Sequence, residues 1–341
     1  NGKVAMVSTA PYQGVPCIGG GQPTGAIYLL DPSDKSIRQL NFGQDNDWDP
    51  VVLNNGRIMY LRWEYTDASH YFTRILMHMN PDGTGKKEYY GSSSYWPNST
   101  FEARPIPGSS SKFVGIVSGH HGIARSGRLV VFDPRKGRQE AEGAIQEIPH
   151  SNRPVEPVIK DRLVDGVWPQ FLSAYPLDKN YFLAVVKPSP GSLWGLYLVD
   201  VFDNMTLIAE REDGAYLYPM LLEQREMPPV IPEKVNVQDS TSTVYIANIY
   251  EGRGLKGVPP GTVDKLRVFA YHFTYNKVGG HDLVGIQSGW DVKRILGTVP
   301  VESDGSAMFK IPANTPVAVQ PLDDQGRAMQ VMRSWFTGMP G

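Results

Sequence analysis

Arg62, Glu64 and Asp67 flank Trp63 and Tyr65 at the end of an apolar run, Arg57 to Leu61. On a strand, alternation puts Arg62 and Glu64 on one side, where opposite charges can pair and point at a channel or its mouth. Glu64 and Asp67 together offer acid–base chemistry, although nothing in the spacing sets their separation. The plain alternative is an ion pair that serves the sheet itself. Asp47 and Asp49, on either side of Trp48, present the same choice, with cation binding as a further option.

His120 and His121 are adjacent, so on a strand they face opposite ways and in a loop they diverge. One of them, joined by His70 from an earlier loop, could contribute to a metal site; a polar loop is the alternative. Cys17 lies in the glycine-dense stretch Gly14-Val15-Pro16-Cys17-Ile18-Gly19-Gly20-Gly21. Glycines let backbone approach a ligand closely, and a thiolate there could ligate a metal; a free thiol between strands is the bland reading. The ligand-binding candidates are therefore Asp49, Arg62, Glu64, His70, His120 and His121, with Cys17 the metal candidate. There is no Gly-x-Ser-x-Gly elbow, His-Glu-x-x-His helix or phosphate loop, so a hydrolase reading lacks a nucleophile. Asn98-Ser99-Thr100 and Asn204-Met205-Thr206 fit the glycosylation pattern, which is common by chance.

What positions these residues is a repeat. An apolar strand ending in Asp or Asn, a turn and a more polar strand recur at Ile27 to Pro32, Leu76 to Pro81, Leu129 to Pro134 and Leu196 to Asp200. A period of roughly 50–70 residues suits a four-stranded propeller blade with variable loops. Within each repeat, earlier apolar runs such as Phe113 to Val117 and Tyr181 to Val185 read as strands buried on both faces. The first repeat lacks a full set of strands, so the expected propeller is incomplete: upstream blades are lost, or another segment fills the gap. Met227-Pro228-Pro229-Val230-Ile231-Pro232 is a stiff connector. The expected division is propeller blades over 1–226, a proline-rich linker over 227–236 and a β-sandwich over 237–341. That second core should take Ile295, Val299, Phe309, Val317, Val319 and Met329. Loops leaving equivalent strand ends should gather Cys17, Arg62, Glu64, His70, His120 and His121 on one face.

Composition agrees with an all-β chain: 35 Gly, 28 Pro and 17 Tyr among 341 residues. The charges balance at 33 Lys+Arg against 35 Asp+Glu, which disfavours nucleic acid as a partner. No apolar run reaches the roughly 18 residues of a membrane span. A single cysteine rules out an internal disulfide framework. The chain opens inside a strand, as if trimmed, and the missing piece could have held an export signal.

Longer strings carry a resemblance. They include Asp47-Trp48-Asp49-Pro50, Arg62-Trp63-Glu64-Tyr65-Thr66-Asp67, Tyr95-Trp96-Pro97-Asn98-Ser99, Ser118-Gly119-His120-His121-Gly122 and Val155-Glu156-Pro157-Val158. Further along come Trp194 to Asp200, Arg294 to Glu302, Asp304-Gly305-Ser306-Ala307 and Met332-Arg333-Ser334-Trp335-Phe336-Thr337. Together they resemble bacterial exported proteins similar to the alpha subunit of hydrazine synthase, a multihaem c-type enzyme. The resemblance implies a periplasmic or otherwise exported protein. In relatives a Cys-x-x-Cys-His haem signal follows the Ser-Trp segment, and here the sequence stops at Gly341 before that point. It thus implies no covalent haem in these residues and haem c in the full-length protein, with zinc as a further candidate. The partner it implies is a haem-bearing segment or a redox protein. The function expected is the propeller-plus-sandwich part of a haem-associated redox protein, with the propeller supplying the pocket wall. The alternative is a non-catalytic propeller that binds a protein or glycan at the channel mouth.

Overall fold

The computed structural model describes residues 2–64, 74–122, 125–273, 291–330, 332 and 334–341. Sheet 1 holds β1 (Val4–Ser8), β2 (Ala26–Asp31) and β3 (Ser36–Gln39). Sheet 2 holds β4 (Asp47–Val52), β5 (Ile58–Trp63), β6 (Arg74–Met79) and β7 (Lys87–Tyr90). Sheet 3 is built from β8 (Ser99–Pro105), β9 (Phe113–Ser118), β10 (Arg128–Phe132) and β11 (Ala144–Ile148). Sheet 4 is built from β12 (Gln170–Pro176), β13 (Tyr181–Lys187), β14 (Gly195–Asp200) and β15 (Met205–Glu210). Within every sheet the neighbours are antiparallel and follow chain order, as propeller blades do.

The repeated phrase is the third strand of sheets 2, 3 and 4 and the middle strand of sheet 1. Its terminal acid has a local reason. Asp31 Oδ1 accepts the Ser33 N–H at 3.0 Å, Asp133 Oδ1 that of Arg135 at 3.1 Å and Asp200 Oδ1 that of Phe202 at 2.9 Å. Each carboxylate closes a turn two residues on, which fixes where the next strand begins.

The first strands β4, β8 and β12 meet one another across the sheet interfaces and form the inner edge, while β1 packs against β4. Alternation along β5 divides two cores. Ile58 and Tyr60 face sheet 1 with Ile27, Leu29, Leu40 and Met79. Met59 and Leu61 join the larger core that runs through Phe113, Ile116, Phe132, Phe171 and Phe182. The Phe113 and Phe132 rings stack with centroids 4.8 Å apart. Burying side chains of this size stabilises by about 1.5–3 kcal/mol each.

Beyond β15 the chain has no regular structure until residue 241. It is extended but docked. Tyr218 N–H donates to Ser173 Oγ at 3.3 Å, and the Arg225 guanidinium lies 4.7 Å from the Tyr175 ring centre. Pro229 O approaches Gly56 so closely that a Cβ there would sit 2.1 Å away. Lys234 N–H then donates to Asp82 Oδ2 at 2.8 Å.

The last part contains β16 (Thr241–Ile246), β17 (Lys265–Phe273), β18 (Asp291–Pro300), β19 (Ala307–Pro312) and β20 (Val317–Leu322). β16 pairs with β19, and β17 is flanked by β18 and β20. Between the two sheets lie Leu266, Val268, Ala307, Phe309, Ile311 and Val317, with Val299 and Val319 partly buried against them. The fold is all-β, a propeller followed by a sandwich. Ile295 and Met329, expected in this core, are instead exposed. β18 is an edge strand, and a register shift opposite Val268 and Phe269 leaves Ile295 outside. A smaller cluster joins Tyr271, Phe273 and Ala318 to Trp335.

Candidate functional site

At the end of β5, Arg62 and Glu64 share a side and are buried, with Arg62 Nε 3.1 Å from Glu64 Oε1. What they face is the end of the chain. Ser334 Oγ donates to Glu64 Oε1 at 2.6 Å, and Arg62 Nη2 donates to Trp335 O at 3.1 Å. The guanidinium also covers the Trp335 ring, 4.0 Å from its centre. Gly43 leaves room for that ring, since a Cβ there would lie 3.3 Å from it. Opposite Arg62 in the ladder sits Asp47, which accepts a hydrogen bond from Asn41 Nδ2 at 2.9 Å. Burial pushes the Asp47 carboxyl up to about 6, against the pull of Arg62. Burial also raises Asp45 to about 7.

The other side of β5 carries Trp63, stacked on Trp48 with centroids 5.6 Å apart. Arg74, buried at the start of β6, lies 4.0 Å from the centre of the Trp63 ring. It also donates to Ser99 Oγ at 3.1 Å and to His120 Nδ1. His120 and His121 do not diverge: their rings meet edge-on with centroids 4.2 Å apart. The reason is Asp161. Its carbonyl oxygen accepts the His120 N–H, and its carboxylate accepts the His121 N–H and ring Nδ1–H, the latter at 2.9 Å. Although burial acts to raise it, these bonds from His121 hold the Asp161 carboxyl below its ordinary value.

A third group lies on the inner edge. β4 and β8 each carry a register shift just past an aromatic residue, Trp48 and Phe101. The acid that follows has positive φ in both, 49° at Asp49 and 51° at Glu102. Such backbone is unfavourable for side-chain-bearing residues, and here it occurs at equivalent points of neighbouring strands. The two acids meet, with Glu102 N–H 3.4 Å from Asp49 Oδ2. Arg104 pairs with Glu102 at 3.1 Å, and exposed Arg125 lies 5.6 Å from the centres of both aromatic rings. Burial, with the Asp49 charge beside it, pushes Glu102 up to about 7 despite Arg104 and Arg125. A carboxyl so placed can hold or release a proton near neutrality.

The structure thus joins Arg62 to Glu64 on one side of β5, and His120 to His121 and Asp49 to Glu102 in two groups beside the Trp48–Trp63 stack. His70 and the Cys17 side chain lie outside the described residues. Among the described residues no three His, Cys, Asp or Glu side chains form a cluster able to hold a metal ion. Sequence reasoning missed Glu102, Asp45, Arg74 and Trp335. Aligning Trp48-Asp49 with Phe101-Glu102 would have flagged Glu102; the others carry no local signal.

Residues 261–341 match the family described as the hydrazine synthase alpha subunit middle domain. The resemblance read from the sequence is borne out over that stretch. The fold is similar to that of Kuenenia stuttgartiensis hydrazine synthase at TM-score 0.66 and 15% identity. That match covers 99% of this chain and 50% of the other, so the chain spans half the length of its relative. An oligogalacturonate lyase from Vibrio parahaemolyticus matches at TM-score 0.31 and 13% identity, covering 95% of this chain and 77% of that one. A putative 6-phosphogluconolactonase from Bacteroides fragilis matches at 0.28 and 11%, covering 98% and 83%. No curated protein matches the chain.

Proposed function

We propose that residues 1–341 are the propeller-plus-sandwich part of an exported, periplasmic, haem-associated redox protein. The propeller, 1–226, would supply the wall, joined through 227–236 to the sandwich, 237–341. The observation that carries this reading is the seating of Ser334 and Trp335 on Glu64 and Arg62, within the stretch that matches the alpha-subunit family. The contact would hold the sandwich at a set position on the propeller, and with it any haem-bearing segment attached there. A c-type haem does not fit covalently inside these residues, because thioether attachment takes two cysteines and the sequence has one. Zinc does not fit the adjacent histidines, since Arg74 lies against His120 Nδ1 and His121 is tied to Asp161. Glu102 would hold or release a proton at the inner edge.

The test is to produce the protein with its flanking sequence in a host that matures c-type cytochromes. A haem-stained band after denaturation, with a midpoint potential that moves on Trp335→Ala, supports the reading. Unstained protein refutes it. A second reading, a non-catalytic scaffold binding a protein or glycan, is favoured by the partly exposed Trp48–Trp63 stack beside Arg125. Glycan-array binding abolished by Trp48→Ala would support that reading.

A further inference from the structure

Each of the inner strands β4, β8 and β12 carries a register shift just past an aromatic residue, Trp48, Phe101 and Phe171. In β4 and β8 the next residue is an acid at positive φ, Asp49 and Glu102. In β12 it is Leu172, which is not at positive φ. The shift itself therefore does not need a carboxyl. Burying one is also unfavourable: Glu102 is 6% exposed, and burial beside the Asp49 charge pushes its carboxyl up to about 7. A destabilising group that the strand does not require points to function. Two guanidiniums share the spot. Arg104 pairs with Glu102 at 3.1 Å. Exposed Arg125 lies 5.6 Å from the centres of the Trp48 and Phe101 rings, close enough for its charge to act on Glu102. Among the described residues no hydrogen bond or ion pair engages the Arg125 guanidinium.

We propose that Arg125, Glu102 and Asp49 form a binding site for a small organic monocarboxylate at the inner edge between sheets 2 and 3. The planar fork of the Arg125 guanidinium matches a carboxylate in two parallel hydrogen bonds. Glu102, when protonated, donates to the same anion, and half-buried Trp48 offers apolar surface to its carbon skeleton. Charge sets the class of ligand. With Glu102 neutral, Arg104 and Arg125 against Asp49 leave a single positive charge, which a monoanion neutralises; a doubly charged sulfate would meet Asp49. Arg74 takes no part, being held behind Trp63 by Ser99 and His120. The inference deepens the scaffold reading, with which it shares Trp48 and Arg125, and needs no haem.

The test is calorimetric titration of the full-length protein with sodium benzoate, with benzamide and inorganic sulfate as controls. Benzoate should bind saturably at pH 6, at least about tenfold more tightly than either control. Its affinity should fall about tenfold from pH 6 to pH 8, following the protonated fraction of a carboxyl that titrates near 7. Arg125→Gln, a change at an exposed side chain, should weaken benzoate binding at least about tenfold. Glu102→Gln keeps a donor, so it should retain binding and lose the pH dependence. Absence of saturable benzoate binding overturns the inference. So does sulfate binding as tight as benzoate, or an affinity indifferent to pH or to Arg125→Gln. Glycan binding that depends on Trp48, with no benzoate binding, would remove this inference and leave the scaffold reading standing.

Discussion

The Arg62 guanidinium lies 4.0 Å from the centre of the Trp335 ring and donates to its carbonyl oxygen, across 273 residues of sequence. This contact ties β5 of the propeller to the chain beyond β20. Trp335 also packs on Tyr271 and Phe273 of β17, so through it Arg62 meets a small cluster that is separate from both larger cores.

Arg62→Met should cost about 3–5 kcal/mol, because Glu64 would remain buried without its guanidinium. The double variant Arg62→Met with Glu64→Leu should lose clearly less than the two single losses combined. Urea denaturation of the four proteins measures the coupling. Simple additivity would mean that the pair is not acting as a unit.

Trp335→Ala should cost about 3–5 kcal/mol through the cavity it leaves, with Trp335→Phe recovering part. The alanine variant should also separate the unfolding of residues around Phe309 from that of residues around Phe132. Segment-resolved hydrogen exchange in denaturant reports this. A single shared transition in the variant would show that other contacts hold the two parts together.

Glu102 gives a pH dependence of definite sign. Its carboxyl is raised from 4.5 to about 7 in the folded protein. Between those values the unfolded chain has lost a proton that the folded chain keeps, so stability falls as pH rises through the window. Glu102→Gln removes that penalty. Measured against the pH 4.5 difference, the variant should gain on the order of 2 kcal/mol by pH 7 and level off above. A flat difference across melts from pH 4.5 to 8 would argue against the shift.

Gly119→Ala should cost about 1–3 kcal/mol, since its Cβ would fall 1.9 Å from Asp161 O, a backbone atom with little freedom to move. It should also loosen the His121–Asp161 pair. Gly191→Ala, where a Cβ meets nothing within 4 Å, is the control and should stay within about 0.5 kcal/mol. Equal melting temperatures for the two variants would refute the close approach.

Much of the propeller was legible in the sequence because its signals are local. The acid that ends each of Asp31, Asp133 and Asp200's strands closes a turn two residues away, so the phrase carries its own structural cause. Strand alternation likewise sufficed to put Arg62 and Glu64 on one side. What faces that side was decided by the tertiary structure alone. Nothing near residue 62 announces a tryptophan from residue 335, because the contact depends on how two separately folded sheets come to rest. The Asp49–Glu102 meeting is of the same kind: each acid is swung inward by a register shift, and only the packing of β4 beside β8 makes the two neighbours. Local hydrogen bonding is written into short stretches of chain, whereas burial, and the proton affinity it imposes on Glu102 and Asp45, exists only once distant strands have excluded water.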